Sequence, residues 1–190
     1  YLGLTIVLFF LLLWAGMNTF DAALHALTTL PSGGFSTRSA GVIAFNNPVI
    51  ELILFVFMLL AGANFTLYYR ALAYRSFREI TGDTEFQVYL GIILCATAAI
   101  AAGLVTHGES LWQAVRHASF QAVSIITTTG FASADYNAWP VFPASVLILL
   151  MFAGGSSGST AGGIKILRHI VAAKHIHREL FRLIHPRVIR

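Results

Sequence analysis

ALHALTTLPSGGFST (Ala23–Thr37) and SFQAVSIITTTGFAS (Ser119–Ser133) decide how this chain folds, because the two stretches have the same unusual design. Each is a short, half-polar helix running into a turn of Ser/Thr, glycine and phenylalanine. The offset is 96 residues throughout: Gly34 matches Gly130, Phe35 matches Phe131, Ala26 matches Ala122 and Thr28 matches Ser124. Long apolar stretches flank each copy. A hydrophobic segment, a helix that goes halfway in, a glycine turn and a second hydrophobic segment make the pattern of a pore lined by backbone carbonyls. The pattern points to ion permeation.

Composition agrees with a membrane setting. The 190 residues are 57% hydrophobic and 11% charged, with a mean hydropathy of +0.75, whereas a soluble domain carries about 25% charged residues. Apolar runs at about 1–17, 49–69, 86–106 and from 141 onward are the expected spans, since a membrane helix needs roughly 20 apolar residues. The first run starts abruptly at Tyr1. The chain is therefore read as an excerpt of a longer protein with a truncated first helix, and that helix is not a signal peptide.

Basic residues orient the spans. Arg70, Arg75 and Arg78 follow the second, and Lys165, Arg168, Lys174, Arg178, Arg182, Arg187 and Arg190 follow the fourth, leaving only Arg38 and Arg116 on the other side. The positive-inside rule then makes the 70–85 connection and the C-terminal tail cytoplasmic, with both glycine hairpins dipping in from outside. Trp14, Trp112 and Trp139 fall at the outer ends, as an interfacial belt requires. The basic pI near 9.6 suits cytoplasmic loops near anionic lipid or an acidic partner, and no nucleic acid is expected. The single Cys95 gives neither a disulfide framework nor a thiol metal site.

The match extends beyond the turns. Asn47-Pro48 opens one inner helix, with Asn as cap and Pro at the first helical position, and Trp139-Pro140 opens the other. LLAGAN (Leu59–Asn64) then lies over MFAGGS (Met151–Ser156). The second unit adds SSGSTAGGIK (Ser156–Lys165), which the first lacks. Glycine and serine at that density do not sustain a helix. A break at membrane depth is tolerated only inside protein or beside a water-filled cavity, so the loop is expected just below the second glycine turn.

Other motifs are weaker. GGSSG (Gly154–Gly158) fits a nucleophile-elbow pattern, but an intramembrane serine hydrolase also needs a histidine base, and most histidines lie in the tail. GSTAGGIK lacks phosphate-loop spacing because Ile164 separates Gly163 from Lys165. His175-x-His177 reads as a solvated basic face. Asp21, Glu51, Glu109 and Asp135 lie on the outer side, where carboxylates concentrate cations, although helix capping accounts equally for Asp21 and Glu51. KHIHRELFRLIHPRVIR (Lys174–Arg190) suits the cytoplasmic membrane surface or a partner domain.

A dehydrated monovalent cation needs several oxygens to replace its water, and backbone carbonyls supply them without a full charge in the membrane. Pointing successive carbonyls one way takes dihedrals that glycine tolerates. Gly34 and Gly130 are therefore the primary candidates, with Ser32, Gly33, Thr128 and Thr129 as further ligands. Phe35 and Phe131 are grouped with these ion-binding filter residues and anchor each turn against the surrounding helices.

The SGGFST and TTGFAS turns, the NNP-led inner helix and GGSSGSTAGGIK together resemble the Trk/Ktr/HKT superfamily of potassium transporters, in particular its bacterial TrkH/TrkG branch. The resemblance covers essentially the whole chain and implies an all-α membrane protein. Tandem helix–pore helix–filter turn–helix repeats of the potassium-channel kind would occupy 1–70 and 86–172, joined by a cytoplasmic connection at 71–85. The second inner helix would be broken by a Gly/Ser-rich loop at 153–165, and 173–190 would form a basic cytoplasmic tail. These would be the middle two of four units in one polypeptide. The resemblance further implies K+ as the transported ion, held at the Gly34 and Gly130 carbonyls, with glycine at this position favouring potassium over sodium. It makes Gly154, Gly155, Ser156, Ser157, Gly158, Ser159, Thr160, Gly162, Gly163 and Lys165 a gating loop, Lys165 adding repulsion against a cation. It implies no enzyme and no organic cofactor. The expected partners are the remaining repeats of the same polypeptide, a second copy in a homodimer, membrane lipid and a cytosolic nucleotide-binding regulatory subunit of the TrkA type. The expected location is the bacterial inner membrane. A secondary transporter with broken helices is the alternative within transport.

Overall fold

The computed structural model describes residues 1–74 and 81–184. Arg75, Arg78, Arg187 and Arg190, used above to orient the spans, lie outside the described residues. The described residues form helices joined by turns and loops, with no strand among them. The first half comprises α1 (Leu2–Trp14), α2 (Thr19–Thr29), α3 (Pro48–Gly62) and α4 (Phe65–Tyr74). The second comprises α5 (Thr84–Thr106), α6 (Leu111–Ile126), α7 (Val141–Leu150) and α8 (Ile166–Ile184).

Local sequence accounts for the helix starts. Asn18, Asn47, Asp83 and Ser110 each accept a backbone N–H in the first turn that follows them, and Pro48 occupies the opening position of α3. Within each half the long first helix packs on the helix that precedes the glycine turn, and α3 crosses to α6 to join the halves. Leu8, Leu12, Leu54, Met58, Tyr89, Ile100, Leu104 and Ile126 fill the core. Leu2, Phe10, Trp14, Leu52, Leu94, Trp112, Phe142 and Leu149 stand exposed, as on a surface facing lipid. Among the described residues α5 alone is long and apolar enough to cross a membrane unaided.

The run expected as one span over 49–69 is two helices. α3 and α4 meet at a 90° bend, because Ala63 turns extended (φ −89°, ψ 163°) and Asn64 caps the next helix, its Oδ1 accepting Thr66 N–H at 2.9 Å. The carbonyls this break frees all find donors. Tyr89 Oη donates to Leu59 O at 3.1 Å and Tyr68 Oη to Leu60 O at 2.8 Å. Thr160 N–H and Ser156 N–H donate to Ala61 O at 3.3 Å and Gly62 O at 2.9 Å. A helix end without water needs this complete satisfaction. The donors at Ser156 and Thr160 come from the Gly/Ser-rich segment of the second half, so the two interruptions hold each other.

Glu51 and Asp21, expected at the outer mouth as cation-attracting or capping carboxylates, are buried and paired. Arg116 of α6 grips Glu51 of α3 through two hydrogen bonds of 2.8 Å, and Arg38 reaches Asp21 at 3.1 Å. Their negative charge is spent on structure. Replacing Arg116 by alanine strands the Glu51 carboxylate and is expected to cost roughly 3 kcal/mol, the low end for a buried pair because the Arg116 side chain is 29% exposed. The thermal midpoint of the full-length protein in detergent should fall in R116A and largely recover in R116A/E51Q.

Candidate functional site

The two glycine turns have the same backbone. Ser32 (φ 58°) and Gly34 (φ 65°) are left-handed in the first, and Thr128 (φ 55°) and Gly130 (φ 84°) in the second, with a residue of ordinary φ between each pair. Alternating hands gather successive N–H groups on one side of the chain and the carbonyls on the other. The N–H side faces the preceding helix. Gly33 and Gly34 N–H donate to Thr28 O at 2.8 and 3.3 Å, and Thr129 and Gly130 N–H donate to Ser124 O at 3.0 and 3.2 Å. Among the described residues no hydrogen bond takes up the carbonyls of Ser32, Gly33, Gly34, Thr128, Thr129 or Gly130.

One more bond fixes where each turn ends. The Thr28 hydroxyl donates to Phe35 O at 2.9 Å, and the Ser124 hydroxyl to Phe131 O at 2.6 Å. Phe35 and Phe131, grouped with the ion ligands in the sequence reading, thus point their carbonyls back toward the preceding helix and serve to hold the turn. Their rings differ. Phe131 is buried and stacks on His25 at 5.6 Å, whereas Phe35, expected to be an anchor, is 72% exposed. The first half offers His25 to the second, and the described residues contain no corresponding ring for Phe35.

The turns touch. A Cβ on Gly34 would fall inside the Thr129 carbonyl, so the two backbones meet there. On one side of the contact lies a cavity of about 510 Å³, lined by Gly34, Gly130, Phe131, Asp135, Tyr136 and Asn137. Segment 151–165 also touches both turns. Its Gly162 N–H donates to Thr128 Oγ1 at 2.6 Å, and its Thr160 hydroxyl lies 3.4 Å from Ser32 Oγ.

This segment has no helix between α7 and α8. Gly154 N–H donates to Ile164 O at 2.9 Å and Ile166 N–H to Gly155 O at 3.2 Å, closing the loop at its base. A Cβ at Gly155 would meet Ala161, Gly62 O and Ser159, so only glycine fits between loop and helix break. Gly158 packs against the Asn64 side chain and its carbonyl accepts Phe65 N–H at 3.3 Å. Lys165, expected to repel a passing cation, folds its ammonium onto the loop's own oxygens: Ser159 O at 3.4 Å, Ser159 Oγ at 3.3 Å and Ala161 O. Gly163 is left-handed at the loop's far end (φ 71°).

Among the described residues no histidine hydrogen-bonds a loop serine, as a serine hydrolase would require. Ser157 Oγ donates to Glu85 at 2.8 Å, and Ser156 Oγ is buried without a hydrogen-bond partner among the described residues. No cluster of three or more metal-binding side chains occurs among those residues, His175 and His177 included.

Sequence reasoning missed Glu85, Asn64, His25 and the roles of Thr28 and Ser124. The last pair was visible as a hydroxyl repeated at the 96-residue offset. Asn64, a strong capping residue just after a glycine inside an apolar run, also signals a break. Nothing local marks Glu85 or His25.

The family model for TrkH, a cation transport protein, matches residues 1–101 and 103–190. The chain is 37% identical over its whole length to the Trk system potassium uptake protein TrkH of Salmonella typhimurium, covering 40% of that protein. It is 36% identical to TrkG of Escherichia coli K12 over 92% of this chain and 36% of that one. The crystal structure of the potassium transporter TrkH from Vibrio parahaemolyticus superimposes with a TM-score of 0.94 at 37% identity, over 100% of this chain and 42% of that one. The chain thus spans about 40% of the length of the relatives it matches. With the family model running nearly end to end and the whole chain superimposing this closely, the chain belongs to the TrkH family of cation transport proteins.

Proposed function

We propose that the chain forms two of the repeats of a Trk-type potassium uptake subunit, residues 1–70 and 86–172, and that the paired turns are half of its selectivity filter. The observation that carries this reading is the shared backbone: left-handed residues alternate at Ser32 and Gly34 and again at Thr128 and Gly130. That arrangement leaves the carbonyls of the two turns unbonded where the turns meet. Oxygens set this way replace the hydration shell of K+ without placing a charge in the membrane. The helices before the turns end toward the same place, and their C-terminal dipoles favour a cation there.

In this reading α2 and α6 are the pore helices and residues 153–165 are the gate. The hydrogen bond from Gly162 to Thr128 and the approach of Thr160 to Ser32 bring the loop into contact with both turns, which supports a plug. The protein acts in the bacterial inner membrane. It functions with the remaining repeats of its polypeptide, with a second copy in a homodimer, and with a cytosolic nucleotide-binding subunit of the TrkA type docked on its basic cytoplasmic segments.

The test is cation flux into proteoliposomes containing the full-length protein, driven by gradients of potassium, rubidium, sodium or lithium. Potassium and rubidium should pass in preference to sodium and lithium. Equal rates for all four, or flux strictly coupled to a proton or sodium gradient, would favour a carrier that binds substrate at broken helices.

A further inference from the structure

Glu85 stands in the first turn of α5, 72 residues before Ser157 in sequence, and its carboxylate is buried beneath the loop. Its own helix has no need of it, because Asp83 already caps α5 by accepting Phe86 N–H at 2.8 Å. The carboxylate is engaged elsewhere. Oε1 accepts Ser157 N–H at 2.6 Å and Leu167 N–H at 3.2 Å, and Oε2 accepts the Ser157 hydroxyl at 2.8 Å. One side chain therefore ties the loop to the first turn of α8 and both to the foot of α5.

We infer that Glu85 is the latch that holds the 151–165 loop against the glycine turns, a positioning residue for the gate. The inference rests on the gating reading above. The loop's contacts with the turns themselves are neutral, a single amide to Thr128 and a hydroxyl near Ser32. Hydrogen bonds to a carboxylate are roughly twice as strong as such neutral ones, and this carboxylate has three. Its charge also sits at the N-terminus of α8, where a helix dipole favours it. Lys165 lies near enough for its charge to attract the carboxylate, but its ammonium is turned onto Ser159 and Ala161, and no direct ion pair joins the two among the described residues. A loop that swings away from the turns takes Ser157 with it and leaves a buried carboxylate short of donors, a costly state. Glu85 thus biases the loop toward closure through bonds that exist only when it is closed.

The experiment compares rubidium flux and the potassium-to-sodium flux ratio in proteoliposomes of the full-length protein. The variants are E85A, E85Q, S157A, a 157–162 deletion, and the deletion combined with E85A. The latch predicts that E85A raises flux roughly tenfold, equivalent to about 1.4 kcal/mol, and E85Q by less. The ion ratio stays unchanged in both, and E85A adds nothing once the loop is deleted. Wild-type flux in E85A alongside raised flux in the deletion overturns the latch and leaves the gate standing. Unchanged flux in the folded deletion removes the gate and the latch with it. Should E85A fail to assemble, S157A carries the test by removing one donor: a severalfold rise supports the latch, and wild-type flux overturns it.

Discussion

Replacing Gly34 by alanine is expected to cut selective potassium uptake roughly a hundredfold, and the same change at Gly130 to reduce it far less. Both glycines are left-handed, which costs a residue with a side chain roughly 1–2 kcal/mol. The difference lies in what the new methyl meets. At Gly34 it would fall inside the Thr129 carbonyl, a main-chain atom that moves only if its whole turn moves. At Gly130 nothing lies within 4 Å of the position. Alanine at Gly34 must therefore push the two rows of oxygens apart, whereas alanine at Gly130 adds only backbone strain. A displacement of about an ångström in a preorganised site costs roughly a hundredfold in rate, and that loss is expected for G34A. Strain of 1–2 kcal/mol corresponds to roughly tenfold, the loss expected for G130A. Rubidium uptake by cells lacking other potassium uptake systems, complemented with each full-length variant, measures both. Equal losses would mean that the turns do not meet in the working protein.

Deleting Ser157–Gly162 should act in the opposite direction and raise potassium flux. The deletion removes the hydrogen bond from Gly162 to Thr128 and the approach of Thr160 to Ser32, the loop's contacts with the turns. It spares Gly154 and Gly155, which close the loop's base. An open minor state is populated at about 0.1–10%, so freeing the path should increase flux by roughly tenfold or more. Selectivity should persist, because the turns are held by Thr28 and Ser124 from the other side. The competing account makes the small residues a packing device for close helix approach. It predicts unchanged flux in a protein that still folds, with a lower thermal midpoint.

Much of this arrangement is legible in the sequence because it is repeated. The 96-residue offset aligns the glycines, the phenylalanines and the hydroxyls that close each turn. A fixed spacing between distant glycine turns carries more information than either turn alone. The Gly/Ser-rich loop is legible for a different reason, since its composition excludes a helix where the apolar run would otherwise continue. What stays hidden is pairing across distance. Arg116 and Glu51 are 65 residues apart, and each alone reads as an ordinary outer-side charge. Glu85 looks like a first-turn acid, and only the folded chain places it beneath Ser157. The left-handed Ser32 and Thr128 escape notice because residues with side chains rarely take that conformation. Hydropathy averages over a short polar interruption, which hides the bend at Ala63 and Asn64 from the sequence. Phe35 stands exposed where an anchor was expected, and the ring it would need is not among the described residues.

The most direct measurement is the position of rubidium, by anomalous scattering, in crystals of the full-length protein soaked in a rubidium salt. The account predicts a peak within coordinating distance of the main-chain oxygens of Ser32–Gly34 and Thr128–Gly130, at the level where the two turns meet. Rubidium found only at side-chain carboxylates such as Asp135, with no density between the turns, would contradict it.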